Sequence, residues 1–184
     1  MSKDRRPLLI LRPNPVAQRS LYHAAALGLN AHSLPLFAAR AIAWAVPDPS
    51  TYDALLITSA QSLRLGGAGL RQLLSLPVYA VGAASAAAAT KAGFEVAGVG
   101  NSDGKSLIAD MQAQGIRSIL WLTGRENSAL DGGTAALQVL PCYAVDRITP
   151  SDAWQQLIRE PAVIMVHSTR AAQYLAELIA DARG

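Results

Sequence analysis

Five times in this chain a short apolar run leads directly into a turn of Gly, Ser, Thr or Asn and then into a segment of helical character. The run-and-turn stretches are Leu8–Asn14, Leu55–Ser59, Val78–Gly82, Ile119–Gly124 and Val163–Ser168. Short apolar runs without polar alternation read as strands covered on both faces. Repeating strand, turn and helix builds a parallel sheet with helices on each side. The five polar turns then fall at the carboxyl ends of strands, where open α/β sheets bind ligands. Helix starts at that edge offer unpaired N–H groups and the positive end of the helix dipole. The expectation is an α/β protein that holds an acidic ligand largely through its backbone.

Apolar residues make up 51% of the 184 residues and charged residues 16%, which supports a packed core and argues against disorder or a coiled coil. The length suits one large or two small domains. The formal charge is +3, and apart from Lys3, Arg5 and Arg6 the bases are scattered. Nucleic-acid binders gather them on one stripe, so a small anion fits better than a nucleic acid. Cys142 is the one cysteine, which rules out a disulfide within the chain and a cysteine metal cluster. It points to a reducing compartment. The first residues lack the apolar region and cleavage site of a secretory leader. No apolar run approaches membrane-spanning length, and the reading is a soluble, cytoplasmic protein.

Along the chain, strands are expected at Pro7–Arg12, Ala31–Leu36, Asp53–Thr58, Pro77–Val81, Phe94–Val99, Ser118–Thr123, Leu137–Val145 and Pro161–His167. The first helix is expected to be capped by Asn14 with Pro15 at its first position, and to stop at Gly28. Further helices are expected at Ala60–Leu65, Ala83–Ala92, Asp103–Gln114 with Ser102 as cap, Arg125–Ala136, Thr149 to about Glu160, and Thr169–Ala182. Gly132-Gly133 weakens the one at Arg125–Ala136, because each Gly costs about 1 kcal/mol relative to Ala. Phe37–Pro47 reads as irregular, and Pro47-Asp48-Pro49-Ser50 as a breaker cluster.

Ile57-Thr58-Ser59-Ala60 is echoed by Val166-His167-Ser168-Thr169, each a strand, a turn with Ser and a helix. The echo suggests two related α/β lobes. Residues 1–38 with 147–184 would form a discontinuous first lobe, and 39–146 the second.

The ordered set of features resembles the uroporphyrinogen-III synthase family over nearly the whole chain. It comprises Arg12 closing the first strand, Leu34-Pro35-Leu36, the Thr58-Ser59 turn, and Val78-Tyr79-Ala80-Val81-Gly82 before a small-residue helix ending at Gly93. Gly100-Asn101, Leu107, the Thr123-Gly124-Arg125 turn, Tyr143 in its strand and His167-Ser168 complete it. The resemblance implies two flavodoxin-like lobes with parallel sheets, joined by a two-stranded linker, with substrate in the cleft between them. It implies closure of hydroxymethylbilane, a linear tetrapyrrole polycarboxylate, with inversion of ring D and loss of water. The family uses no cofactor and no metal. A monomer acting on a free small molecule is expected.

Tyr143 matches the family's tyrosine acid, placed to help the terminal hydroxyl leave; its alternative is an ordinary strand aromatic. Ser85 stands where the family commonly has threonine, and either donates to a substrate carboxylate or satisfies local backbone. Gly82 either lets backbone approach the ligand or ends a strand. Thr58, Ser59 and Ser168 are carboxylate donors or plain caps. Arg12 and Arg125 with Gly124 sit just beyond strands, where an Arg either pairs with acetate and propionate arms or remains solvated. His167 is a further cleft candidate. Trp44, Trp121 and Trp154 read as packing residues, as does Cys142.

The family continues past the last helix found here, so the first lobe is expected to be incomplete, from truncation or degeneration. A lobe short of a strand would expose an edge and favour dimerisation. Two other readings stand beside the synthase. One is a non-catalytic small-anion-binding module or inactive homologue. The other is a flavin or nucleotide protein, against which stands the lack of a G-x-G-x-x-G or Walker A sequence.

Overall fold

Four consecutive apolar residues, Ala54–Ile57, form a strand buried on both faces, and the surrounding architecture follows from how its side chains alternate. A computed structural model describes residues 6–101 and 103–181. The described chain divides into two units, Met1–Ala38 with Asp146–Gly184, and Ala39–Val145. Two strands straddle the boundary, β3 at Phe37–Ala41 and β8 at Ala136–Arg147.

The first unit contains β1 (Leu8–Ile10), α1 (Val16–Ala26), β2 (Ala31–Ser33), α5 (Asp152–Leu157), β9 (Val163–Met165) and α6 (Thr169–Asp181). Its sheet runs β2-β1-β9, all parallel. Pro35 lies beyond β2, an edge strand that ends at Ser33, consistent with proline's missing ladder donor. Asn14 does not cap α1. Pro15 holds the cap position with no side-chain bond, and the Pro13 carbonyl accepts from the Ala17 N–H at 3.1 Å. A backbone acceptor thus takes the place expected for the Asn14 side chain.

The second unit contains β4 (Ala54–Ile57), α2 (Ala60–Leu65), β5 (Val78–Val81), α3 (Ala83–Lys91), β6 (Val96–Gly100), α4 (Gly104–Ala113) and β7 (Ser118–Gly124). The sheet order is β3-β8-β7-β4-β5-β6, and the pairs from β8 to β6 are parallel. Counted from β4 in chain order, these parallel strands stand 3-2-1-4-5, a doubly wound arrangement that reverses between β4 and β7. Leu55, Ile57, Val78, Ala80, Leu120 and Leu122 face α2, α3 and the 3₁₀ helix at Gly67–Leu73. Leu56, Tyr79, Ile119 and Trp121 face α4 through Leu107, Ile108 and Met111. Each fully buried Leu or Ile contributes about 1.5–3 kcal/mol of transfer free energy, so the two-sided core is the main stabilising term.

Two segments differ from expectation. Phe37–Ala41, read as irregular, is strand β3 beside β8. Its Ala-rich sequence carries little strand propensity, and pairing decides the outcome. Arg125–Ala136, read as helical, is an irregular crossover as far as Ala135 and enters β8 at Ala136. The Asn127 side chain donates to the Gly124 carbonyl, Asp131 accepts from the Gly133 N–H, and the Gln112 amide donates to the Gly132 carbonyl. Such local side-chain bonds compete with helix formation, and the Gly pair lowers helix stability further. Ser102, expected to cap α4, lies outside the described residues. Asp103 accepts from the Ser106 N–H at 2.8 Å and caps that helix.

Candidate functional site

Each unit has a pocket where its strand order reverses. In the second unit, a cavity of about 330 Å³ is lined by Thr58, Trp121, Thr123, Glu126, Tyr143 and the start of α4, among others. In the first unit, a cavity of about 210 Å³ lies beyond β1 and β9, with Arg12, Phe37, His167 and Ser168 in its lining. In the second unit the strand ends explain the position, since the helices after β4 and after β6 pack on opposite faces of the sheet and open a crevice at the reversal.

Tyr143 lines the larger of these two pockets. Its strand pairs with β7, with a register shift that sets Tyr143 opposite Gly124. A β-carbon on Gly124 would meet the Tyr143 ring, so only glycine leaves the phenol this position without displacement. The Tyr143 carbonyl accepts from the Arg125 N–H at 2.8 Å. Burial pushes the phenol above its ordinary value. A hydrogen bond with the Ser59 side chain opposes the shift, and the charges of Cys142 and Glu126 reinforce it. The group therefore stays protonated across the neutral range, the form a proton donor needs.

Glu126 supplies a carboxylate at the same place. Burial raises its pKa, but the Val145 N–H, the Arg125 side chain and its own N–H outweigh that and hold it below the usual carboxylate range. The bond from Val145 is 3.1 Å and the pair with Arg125 Nε is 2.9 Å. The Arg125 guanidinium thus serves Glu126 on an exposed loop and is absent from the pocket lining. Thr58 Oγ1 accepts from the Trp121 indole N–H at 3.1 Å. Ser59 caps α2, its hydroxyl accepting from the Gln61 N–H at 3.3 Å.

Thr58 and Tyr143 meet in one pocket, with Ser59 and Gly124 against Tyr143. Gly82 and Ser85 lie at the next strand end. Gly82 has φ +78° and a β-carbon there would meet nothing, so its glycine answers to the positive φ of the turn. Ser85 is buried in the first turn of α3. Arg12 and Ser168 belong to the first unit's pocket. Ser168 accepts from the Ala171 N–H at 3.1 Å. Arg12 forms no ion pair among the described residues.

Sequence reasoning missed Glu126, Asn127 and Ser128, because their segment reads as helix. Asn127-Ser128 ahead of Gly132-Gly133 is the loop signal that would have found them. It also took Trp121 for packing alone. Trp121 is buried, yet its N–H enters the polar network. No three His, Cys, Asp or Glu side chains among the described residues are grouped to hold a metal ion. No helix among them is long and apolar enough to cross a membrane.

Parallel sheets, each with a polar pocket at its strand-order reversal, place the chain in the α/β class. The chain belongs to the uroporphyrinogen-III synthase family, whose sequence model, described as Uroporphyrinogen-III synthase HemD, matches residues 21–183. No curated protein matches the chain. Among solved structures it is similar to a mutant uroporphyrinogen III synthase from the extremely thermophilic bacterium Thermus thermophilus, at 17% identity and TM-score 0.49, covering 79% of this chain and 64% of that one. The wild-type enzyme from the same organism matches at 20% identity and TM-score 0.43, covering 79% and 63%. A further Thermus thermophilus uroporphyrinogen III synthase matches at 19% identity and TM-score 0.39, covering 79% and 64%. The chain thus spans less than two thirds of the length of these proteins.

Proposed function

We propose that the chain acts as a uroporphyrinogen-III synthase, binding hydroxymethylbilane and closing it with inversion of ring D and loss of water. The observation that carries this reading is the Tyr143 pocket, a protonated phenol beside an ionised carboxylate at a strand-order reversal, in a chain of this family. In the mechanism, Tyr143 Oη transfers its proton to the terminal hydroxyl as the C–O bond breaks, so that water leaves, and the phenolate recovers a proton from the pyrrole product when ring closure releases one. Glu126 supplies negative potential to the cationic azafulvene-like and spiro species that follow. Positioning does the rest, by presenting the substituted carbon of ring D to attack. Thr58 and Ser59 in the second unit, and Arg12 and Ser168 in the first, bind acetate and propionate arms. Gly82, Ser85, Gly124 and Arg125 complete the substrate-binding set, the last through its hold on Glu126.

The substrate is a free small molecule and the setting is cytoplasmic, with no nucleic acid or membrane partner. The test is a coupled assay with freshly made hydroxymethylbilane that resolves type I from type III product. Type III product above the spontaneous level supports the activity. A product ratio equal to the spontaneous one rejects it for this chain.

A further inference from the structure

We infer that Trp121 is a positioning residue, which aims the proton of Thr58 at a carboxylate in the larger pocket. The inference rests on the reading of that pocket as a carboxylate site. An indole N–H only donates. In the 3.1 Å bond between Trp121 Nε1 and Thr58 Oγ1, the threonine oxygen must therefore accept. A hydroxyl that accepts from one side retains its own O–H as a donor. Among the described residues the Thr58 proton has no acceptor. Both residues line the cavity, so the donor left over faces a space where a ligand can take it.

Trp121 is 2% exposed and clamped between β4 and α4. The indole is thus a fixed reference that leaves the Thr58 hydroxyl few orientations, and donors arranged in advance bind an anion at lower entropic cost. Trp44 makes the contrast. Its N–H donates to the Gly66 carbonyl at 2.9 Å, an acceptor with no proton to aim. The Trp121–Thr58 pair joins the middle of β7 to the residue after β4, the two strands flanking the reversal.

The test uses the 184-residue chain and a monopyrrole carrying one acetate and one propionate arm. The three indole N–H resonances are assigned with Trp121→Phe. The probe is expected to shift the Trp121 resonance. Thr58→Val is expected to raise the probe Kd about tenfold, the scale of one hydrogen bond to a charged acceptor, and Thr58→Ser to restore it to within about twofold. Trp121→Phe is expected to raise Kd about threefold with Thr58 present and to have no effect in the Thr58→Val background, the non-additivity of a residue acting through another. Equal effects in both backgrounds, an unmoved Trp121 resonance at saturation, or no binding by the wild type would each overturn the inference. Should Trp121→Phe not fold, Thr58→Val must still move the Trp121 resonance upfield while Thr58→Ser leaves it, and no movement overturns the pairing. Bilane turnover separates the two claims. Coupled binding without type III product rejects the synthase reading and keeps the positioning role, whereas type III product with additive variants does the reverse.

Discussion

Gly124 makes room for the phenol of Tyr143. A β-carbon at 124 would stand 2.8 Å from Cζ and 3.0 Å from Oη of that ring. Gly124→Ala must therefore displace the ring or the strand beneath it. Overpacking of this kind costs about 1–3 kcal/mol, and a donor moved by about 1 Å loses about 10²-fold in rate. Type III formation should fall by that factor, and the urea midpoint should drop. Unchanged turnover would mean that the ring position is not what the reaction uses.

Tyr143→Phe removes only the hydroxyl. The ring, its contact with Gly124 and the Arg125 bond to the strand carbonyl remain. General acids contribute about 10²–10⁴-fold, so type III formation should slow by at least about 10²-fold, while loss of the Ser59 bond lowers stability by only about 1 kcal/mol. Because burial raises the phenol's pKa, wild-type activity should persist to higher pH than an ordinary phenol would allow, and decline once the proton is lost. A variant as fast as the wild type would remove Tyr143 from the mechanism.

Arg12 stands in the first unit's pocket with Ser168 and without an ion pair among the described residues. If it holds a carboxylate arm, Arg12→Gln should raise KM for the bilane about tenfold, the low end for a charge-assisted hydrogen bond. The effect on kcat should be small, because the arm stays bound from substrate to transition state. A fall in kcat with KM constant would point to a role in the chemical step instead.

The strands and their turns were legible because local and tertiary signals agree. Ala54–Ile57 and Ser118–Gly124 are apolar on both faces, and Ser59 ends one run with a residue whose hydroxyl caps a helix. Phe37–Ala41 was not legible, since its strand character comes from its neighbour β8. The Arg125–Ala136 crossover was read as helix despite its Gly pair, because the side-chain bonds of Asn127 and Asp131 that hold it as a loop show only in the folded chain. Glu126 was lost with it, although with Asp103 it brings a carboxylate to the pocket lining. Tyr143 and Thr58 could be named from family resemblance, but their meeting depends on the reversal between β4 and β7, which no local stretch encodes.

Asp53 ties the start of β4 to β7. Its Oδ2 accepts from the N–H groups of Arg117 at 2.7 Å and Ser118 at 2.8 Å. Those bonds, Arg117 first, hold its carboxyl below the usual value. A lowered folded pKa stabilises above the unfolded value of 3.8, and that stability is lost as pH falls through the folded one. The group is exposed, so Asp53→Asn should cost less than about 1 kcal/mol at pH 7, and the difference should shrink toward zero below pH 3.8. A deficit that persisted in strong acid would show a packing effect rather than a carboxylate one.

Cys142 gives the opposite pH dependence. Its thiol is buried and bonded to the Ser62 carbonyl at 3.6 Å, and burial pushes its pKa from 9.0 to about 11. The folded chain then keeps a proton that the unfolded chain releases above pH 9. This stability is complete below pH 9 and is lost as pH rises through about 11. A gap of that size corresponds to at most about 2–3 kcal/mol. Other groups titrate in the same range, so the measurement is a difference between wild type and Cys142→Ala in urea from pH 8 to 11. At pH 8 the variant should be less stable by about 1 kcal/mol, from the lost sulfur contacts. As pH climbs, the wild type alone pays for ionising the thiol, and the two stability curves should converge and then cross. Curves that stay parallel to pH 11 would mean the thiol is solvated in the folded chain, contrary to its position under α2.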